Sequence, residues 1–159
     1  MNRAYNTFLD ICGGVSAILI AFCALAVSLD VILRFFGESL MWVFEVTELL
    51  LLYVTMLALP WLARERGHIC VDVLVNNLSP ANAARLDVCT NMAVAAICLL
   101  ITWWGGLSTV DAYSRNLTND GLVQYSLWIS RIAIPFGFGL AAIEYLRLSA
   151  QSARKGVSK

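Results

Sequence analysis

The stretch VCTNMAVAAICLLITWWGGLSTV, residues 88–110, runs for 23 positions without a charged side chain. At 1.5 Å per residue a helix of that length crosses a hydrocarbon core of about 30 Å. Lipid offers backbone N–H and C=O groups no partner, so such a segment has to satisfy them internally, as a helix. Upstream, Ser79-Pro80 has the form of an N-cap followed by proline in the first helical turn, which starts this helix near residue 80.

Three further segments follow the same logic. Residues 11–29 lie uncharged between Asp10 and Asp30 and define a first span of about 11–33. A secretory signal is the rival reading there, with Arg3 ahead of the run and Ala24-Leu25-Ala26 resembling a cleavage site, but the run exceeds a signal core of ~7–15 residues. Residues 49–63 become a full span of about 42–65 if the helix begins near Trp42 and carries Glu45 and Glu48 in its first turns, where the helix dipole favours carboxylates. Arg64-Glu65-Arg66-Gly67 closes it with cations and a glycine. The last span, about 128–148, contains Pro135 and is bounded by Arg131 and Glu144, with Arg147 placed to snorkel to the interface. Between the second and third spans, residues 68–78 are apolar but too short to cross, and read as a short amphipathic segment along the interface.

Composition agrees. Of 159 residues, 60% are hydrophobic and 14% charged, against ~45–50% and ~25% in ordinary globular domains. Eleven basic residues balance eleven acidic ones, so no basic surface for nucleic acid exists. The 11% aromatic content and mean hydropathy of +0.75 exclude a solvated disordered chain. Arginine and lysine number eight in the N-terminal tail, second loop and C-terminal end, and three in the other two loops. By the positive-inside rule both termini are cytoplasmic. With no internal repeat or linker, the expectation is one all-α membrane domain over 1–159, with four transmembrane helices.

Chemistry is scarce. His68 is the one histidine, and Cys12, Cys23, Cys70, Cys89 and Cys98 form no C-x-x-C pair, so no cofactor or metal is expected. No H-E-x-x-H, phosphate loop or nucleophile elbow is present, and an enzyme is not expected. The span centres carry no ionisable group, since Asp30, Glu45, Glu48, Arg131 and Glu144 all fall near a predicted interface. Two groups remain as candidates. At the outer ends, Asp30 and Arg34 share a helix face, Trp42 can anchor at headgroup level, and Arg34 can pair with Glu45 or Glu48. These charges pair within the chain, sit among headgroups, or meet a partner subunit. Small residues at Gly13 and Ala17, at Ala93 and Ile97 beside Ala95 and Ala96, and at Gly137 and Ala141 allow close helix approach.

The order of three strings is more specific than any single motif: DVILRFF (30–36), WVFEVTE (42–48) and RERGHICVDVL (64–74), followed by Trp128 and IPFGF (134–138). Together they resemble the small permease subunit of tripartite ATP-independent periplasmic (TRAP) transporters, the DctQ-like family. The resemblance implies a subunit of the bacterial inner membrane, partnered by a large permease subunit and a periplasmic binding protein that delivers an organic acid for ion-gradient-driven uptake. It implies a scaffold role, with selectivity in the other components. The family often has an acidic residue just after the tryptophan of the second helix; here Glu45 and Glu48 both compete for that place. The resemblance also implies that Arg64, Arg66, Gly67, His68 and Asp72 anchor the cytoplasmic loop, His68 and Asp72 being able to hydrogen-bond at i,i+4. The chain looks like the separate rather than the fused form. Its rivals are a small homo-oligomeric carrier and a membrane anchor of an enzyme complex.

Overall fold

A computed structural model describes residues 3–38, 40–66 and 80–157. Among these residues there are four helices: α1 (Arg3–Phe35), α2 (Met41–Arg66), α3 (Pro80–Ser114) and α4 (Leu127–Val157). Each is long and apolar enough to cross a membrane. At 1.5 Å per residue they measure roughly 50, 39, 52 and 46 Å, so all exceed the ~30 Å core. The interfacial segment expected at 68–78, and with it Gly67, His68 and Asp72, lies outside the described residues.

Two helix ends differ from the sequence expectation. α1 begins at Arg3 rather than near 11, and α4 continues to Val157 rather than stopping near 148. Both extensions are polar stretches that find partners on other helices, Tyr5 and Asn6 on α4 and Ser152 on α3. Trp103 and Trp104 sit about three turns before the end of α3, which runs on to Ser114.

The C-terminal ends of α1 and α3 terminate by one device. Gly37, at φ +88°, follows α1; the N–H of Glu38 donates to Leu33 O at 3.1 Å and that of Gly37 to Arg34 O at 3.1 Å. Asn116, at φ +48°, plays the same part after α3, with Leu117 N–H donating to Ala112 O and Asn116 N–H to Tyr113 O. This paired pattern consumes the carbonyls a helix end leaves free, and asparagine is the residue after glycine that best tolerates the left-handed turn. The chain then folds a small hairpin, bridged between Thr118 and Ser126, before entering α4.

The helices pack in the order α1, α2, α4, α3, with α1 on α2, α2 on α4 and α4 on α3. That is an open arc rather than a closed bundle. Its core is built of small residues: Cys98 of α3 meets Ala141 and Ala142 of α4, flanked by Leu59, Val94, Phe138 and Tyr145. Gly137 of α4 rests on the backbone of α2, where an added Cβ would stand 2.7 Å from Met56 O. Gly13 of α1 rests on the Trp61 ring at 3.0 Å by the same measure. Small residues thus serve internal packing, as lipid-embedded helices need. The phase on α3 differs from expectation. Ala93, Ala96 and Ile97 face outward, and Asn91, Ala95 and Cys98 face α4.

Candidate functional site: two polar belts

The charged residues that bound the spans gather into two levels. The first belt, on the side that the sequence expectation makes periplasmic and hence termed the outer belt, starts with Asp30, which is buried. Its Oδ2 accepts from Arg34 Nη2 at 2.7 Å, and its Oδ1 accepts the N–H of Leu40 at 2.8 Å. The carboxylate therefore caps α2 from the end of α1, where unpaired N–H groups and the helix dipole favour an anion. Arg34 is held one turn along its own helix and pairs with neither Glu45 nor Glu48; the i,i+4 neighbour outcompetes both.

Glu45 is engaged elsewhere. Its two carboxylate oxygens accept the backbone N–H groups of Leu122 and Val123, each at 2.6 Å, and so bind α2 to the hairpin between α3 and α4. Gly121 is the residue that permits this approach, because a Cβ there would collide with the Glu45 carboxylate. Arg131 donates to the carbonyl and hydroxyl oxygens of Ser108, both at 3.2 Å, and Arg115 pairs with Asp111 at 2.7 Å. Glu48 is exposed, with no hydrogen-bond or ion-pair partner among the described residues. Trp42 is half exposed and lines a shallow groove with Phe22, Leu25, Leu29 and Val43.

The inner belt was only partly legible. Arg64 pairs with Asp10 and donates to Asn6 O at 3.3 Å, which anchors the end of α2 to α1. Ser152 hydrogen-bonds to Asp87, which also receives Asn91 Nδ2 at 3.3 Å, joining α4 to α3. The side chain of Arg66 lies outside what the structure describes. Glu144 departs most from expectation. It is 1% exposed, one of the most buried large side chains among the described residues, which its place near a predicted interface gave no reason to expect. Arg147 does not snorkel outward; its guanidinium lies over the Tyr5 ring at 5.3 Å and donates to Asn6 Oδ1 at 3.1 Å. The reason is the polar start of α1, which covers this part of α4. The i,i+3 spacing of Glu144 and Arg147 was a readable signal; the identity of the covering residues was not.

Between the two belts none of the four helices carries an Asp, Glu, Lys, Arg or His. Among the described residues no group of three His, Cys, Asp or Glu gathers as a metal site. The belts thus organise helix ends, and the surface between them is aliphatic and aromatic, with Ile18, Leu25, Leu100, Trp103 and Trp104 prominently exposed.

The model of the family described as "Tripartite ATP-independent periplasmic transporters, DctQ component" matches residues 23–155. The chain belongs to that family. It is a multi-pass protein of the bacterial inner membrane and a small-permease homologue from a transporter family, not a family of enzymes. It is 24% identical over 118 residues to the ectoine TRAP transporter small permease protein TeaB of Halomonas elongata, covering 74% of this chain and 61% of that one. It is 27% identical over 134 residues to the C4-dicarboxylate TRAP transporter small permease protein DctQ of Rhodobacter capsulatus, covering 84% and 57%. The match thus spans about three fifths of each relative's length. No solved structure matches the chain significantly. The family match includes Asp30, Arg34, Trp42, Glu45, Arg64, Glu144 and Arg147, so the outer belt falls inside it, whereas the α1 side of the inner belt, Tyr5, Asn6 and Asp10, lies before its first residue.

Proposed function

We propose that this chain is a static membrane scaffold. In this reading it lies against a large TRAP permease subunit and widens the frame against which that subunit moves its cargo. The observation that carries the reading is the absence of any ionisable side chain between the two belts, combined with carboxylates and guanidinium groups consumed in joining helix ends. A carrier needs polar groups near the bilayer midplane to bind solute or coupling ion. Here the polar groups brace the frame.

A braced frame has mechanical value. Tilting or stretching against the bilayer costs fractions of a kcal/mol per Å of mismatch, so a frame with more embedded helices yields less when a neighbour slides against it. The cargo is an organic acid brought by a periplasmic binding protein and driven by an ion gradient. The two relatives are named for different solutes, ectoine and C4-dicarboxylates, which supports placing selectivity in the other components. The excess of arginine and lysine at the inner belt and C-terminal end supports cytoplasmic termini.

The test is co-expression with the neighbouring large permease, one subunit tagged, followed by detergent extraction and reconstitution. Recovery of a stoichiometric complex, with uptake only when both subunits and the binding protein are present, is expected. Solute accumulation by this chain alone would replace the scaffold with a carrier, and a co-purifying haem, quinone or catalytic subunit would replace it with an enzyme anchor. A cysteine appended after Lys159 and probed with an impermeant maleimide reads the orientation; labelling in intact spheroplasts would invert it.

A further inference from the structure

Four residues at the inner belt make an arrangement that neither packing nor the scaffold reading requires. Glu144 and Arg147 stand one turn apart on α4, with Arg147 Nη1 3.6 Å from Glu144 Oε2, and their side chains are 2% and 19% exposed. Two residues at the start of α1 cover them: Asn6 accepts from Arg147, and Tyr5 presents its ring to the guanidinium. Glu144 Oε2, Arg147 Nε and the Tyr5 hydroxyl are all shut off from solvent. This cluster reaches past α2, on which α1 chiefly packs, to tie α1 to α4. Arg64 of α2 faces the same place, holding Asn6 O and Asp10.

We propose that Tyr5, Asn6, Glu144 and Arg147 form a register lock, which selects one axial position of α1 against the other three helices at little or no gain in stability. Aliphatic contacts between helices in lipid are scarcely better than contacts with the lipid itself, so an apolar helix gains little from one register over the next. Buried ion pairs behave in the opposite way. Removing two charges from water cancels most of their attraction, and their best-attested use is to specify a single arrangement. If α1 slid by one turn, about 5.4 Å, Asn6 and Tyr5 would leave Arg147; in one direction Leu9 and Asp10 would take their places, removing the ring and the amide and setting a second carboxylate beside Glu144. The lock makes that slide costly while the correct register is no better than an apolar seam would make it.

The experiment uses the full chain in lipid nanodiscs, with spin labels at Ile18 of α1 and Ile143 of α4, both exposed. The labels are carried on p-acetylphenylalanine so that the native cysteines stay in place. Pulsed electron paramagnetic resonance reads the distance distribution, and a thermal melt reads stability. For the paired replacement Glu144→Leu with Arg147→Met, the expected result is a distribution widened or shifted by up to about one helical pitch of 5.4 Å, with a melting temperature equal to or above that of the parent. An unchanged narrow distribution overturns the proposal. A widened distribution with a matching fall in melting temperature also overturns it, because the cluster is then an ordinary stabilising contact. Should the paired variant fail to fold, Asn6→Leu, which leaves the charges on α4 intact but takes one partner from Arg147, is read by the distance distribution alone: widening or a shift supports the proposal, and an unchanged narrow distribution overturns it. None of these outcomes depends on the large permease.

Discussion

Glu45 and Leu122 are 77 residues apart in the chain, and the carboxylate of one holds the backbone N–H of the other at 2.6 Å. With the second bond to Val123, this contact gives the hairpin between α3 and α4 a fixed seat on the start of α2. Replacing Glu45 by alanine removes the acceptor of two amides, one exposed and one part-buried, so that water can take its place in part and each loss should cost ~0.5–1.5 kcal/mol. Glu45→Ala should therefore lower the melting temperature in detergent and speed proteolysis within 117–126, and Glu45→Gln, which keeps one acceptor, should show a smaller effect.

Gly121 tests the same contact from the other side. Gly121→Ala drives a methyl group into the Glu45 carboxylate, whereas Gly14 and Gly106 have open space where a Cβ would go. Alanine at Gly121 should displace the Glu45 carboxylate, the movable end of its side chain, and destabilise by about what its amide bonds contribute, ~0.5–1.5 kcal/mol each. Alanine at Gly14 or Gly106 should be neutral or slightly stabilising through helix propensity, by ~1 kcal/mol at most. Equal melting temperatures for all three variants would contradict the geometry.

Gly137 sets how closely α4 approaches α2. An alanine there meets Met56 O at 2.7 Å and Met56 Cα at 2.9 Å, backbone atoms that cannot rotate away. Gly137→Ala should cost ~1–3 kcal/mol, and Gly137→Val more. If the approach matters to assembly, both should also lower the yield of complex in the co-expression test, in the same order.

Asp30 separates capping from partner recognition. Loss of its bond to Leu40 in Asp30→Ala should cost ~0.5–2 kcal/mol, the usual range for a helix N-cap, and should free Arg34. Arg34→Glu, by contrast, places a like charge one turn from Asp30 and tests the exposed side of the belt. If Arg34 meets a partner subunit, co-purification with the large permease falls while the monomer's melting temperature changes little; unchanged co-purification assigns Arg34 to the headgroup level.

How much of this could be read beforehand follows from the range of each interaction. The four spans announce themselves because lipid burial acts on a continuous run, and 88–110 carries its signal within itself. The pair Asp30 and Arg34 is local, four residues apart, and was equally open to view. The partners of Glu45 were not, because nothing near residue 45 says that a turn 77 residues later will return its amides to this spot. The same holds for α1's early start: Tyr5 and Asn6 read as a polar tail until α4 supplies Arg147. The small-residue positions were visible, but a uniformly apolar helix has no polar face to fix its rotation. Hence Ala93 and Ile97 were exchanged for the adjacent face of Ala95 and Cys98.

The order α1, α2, α4, α3 also decides what this chain can and cannot enclose. Helices set edge to edge make a fence, and a fence has two sides but no lumen. In the scaffold reading, anything that crosses the bilayer beside it travels along a wall, and the large permease would provide the opposite bank.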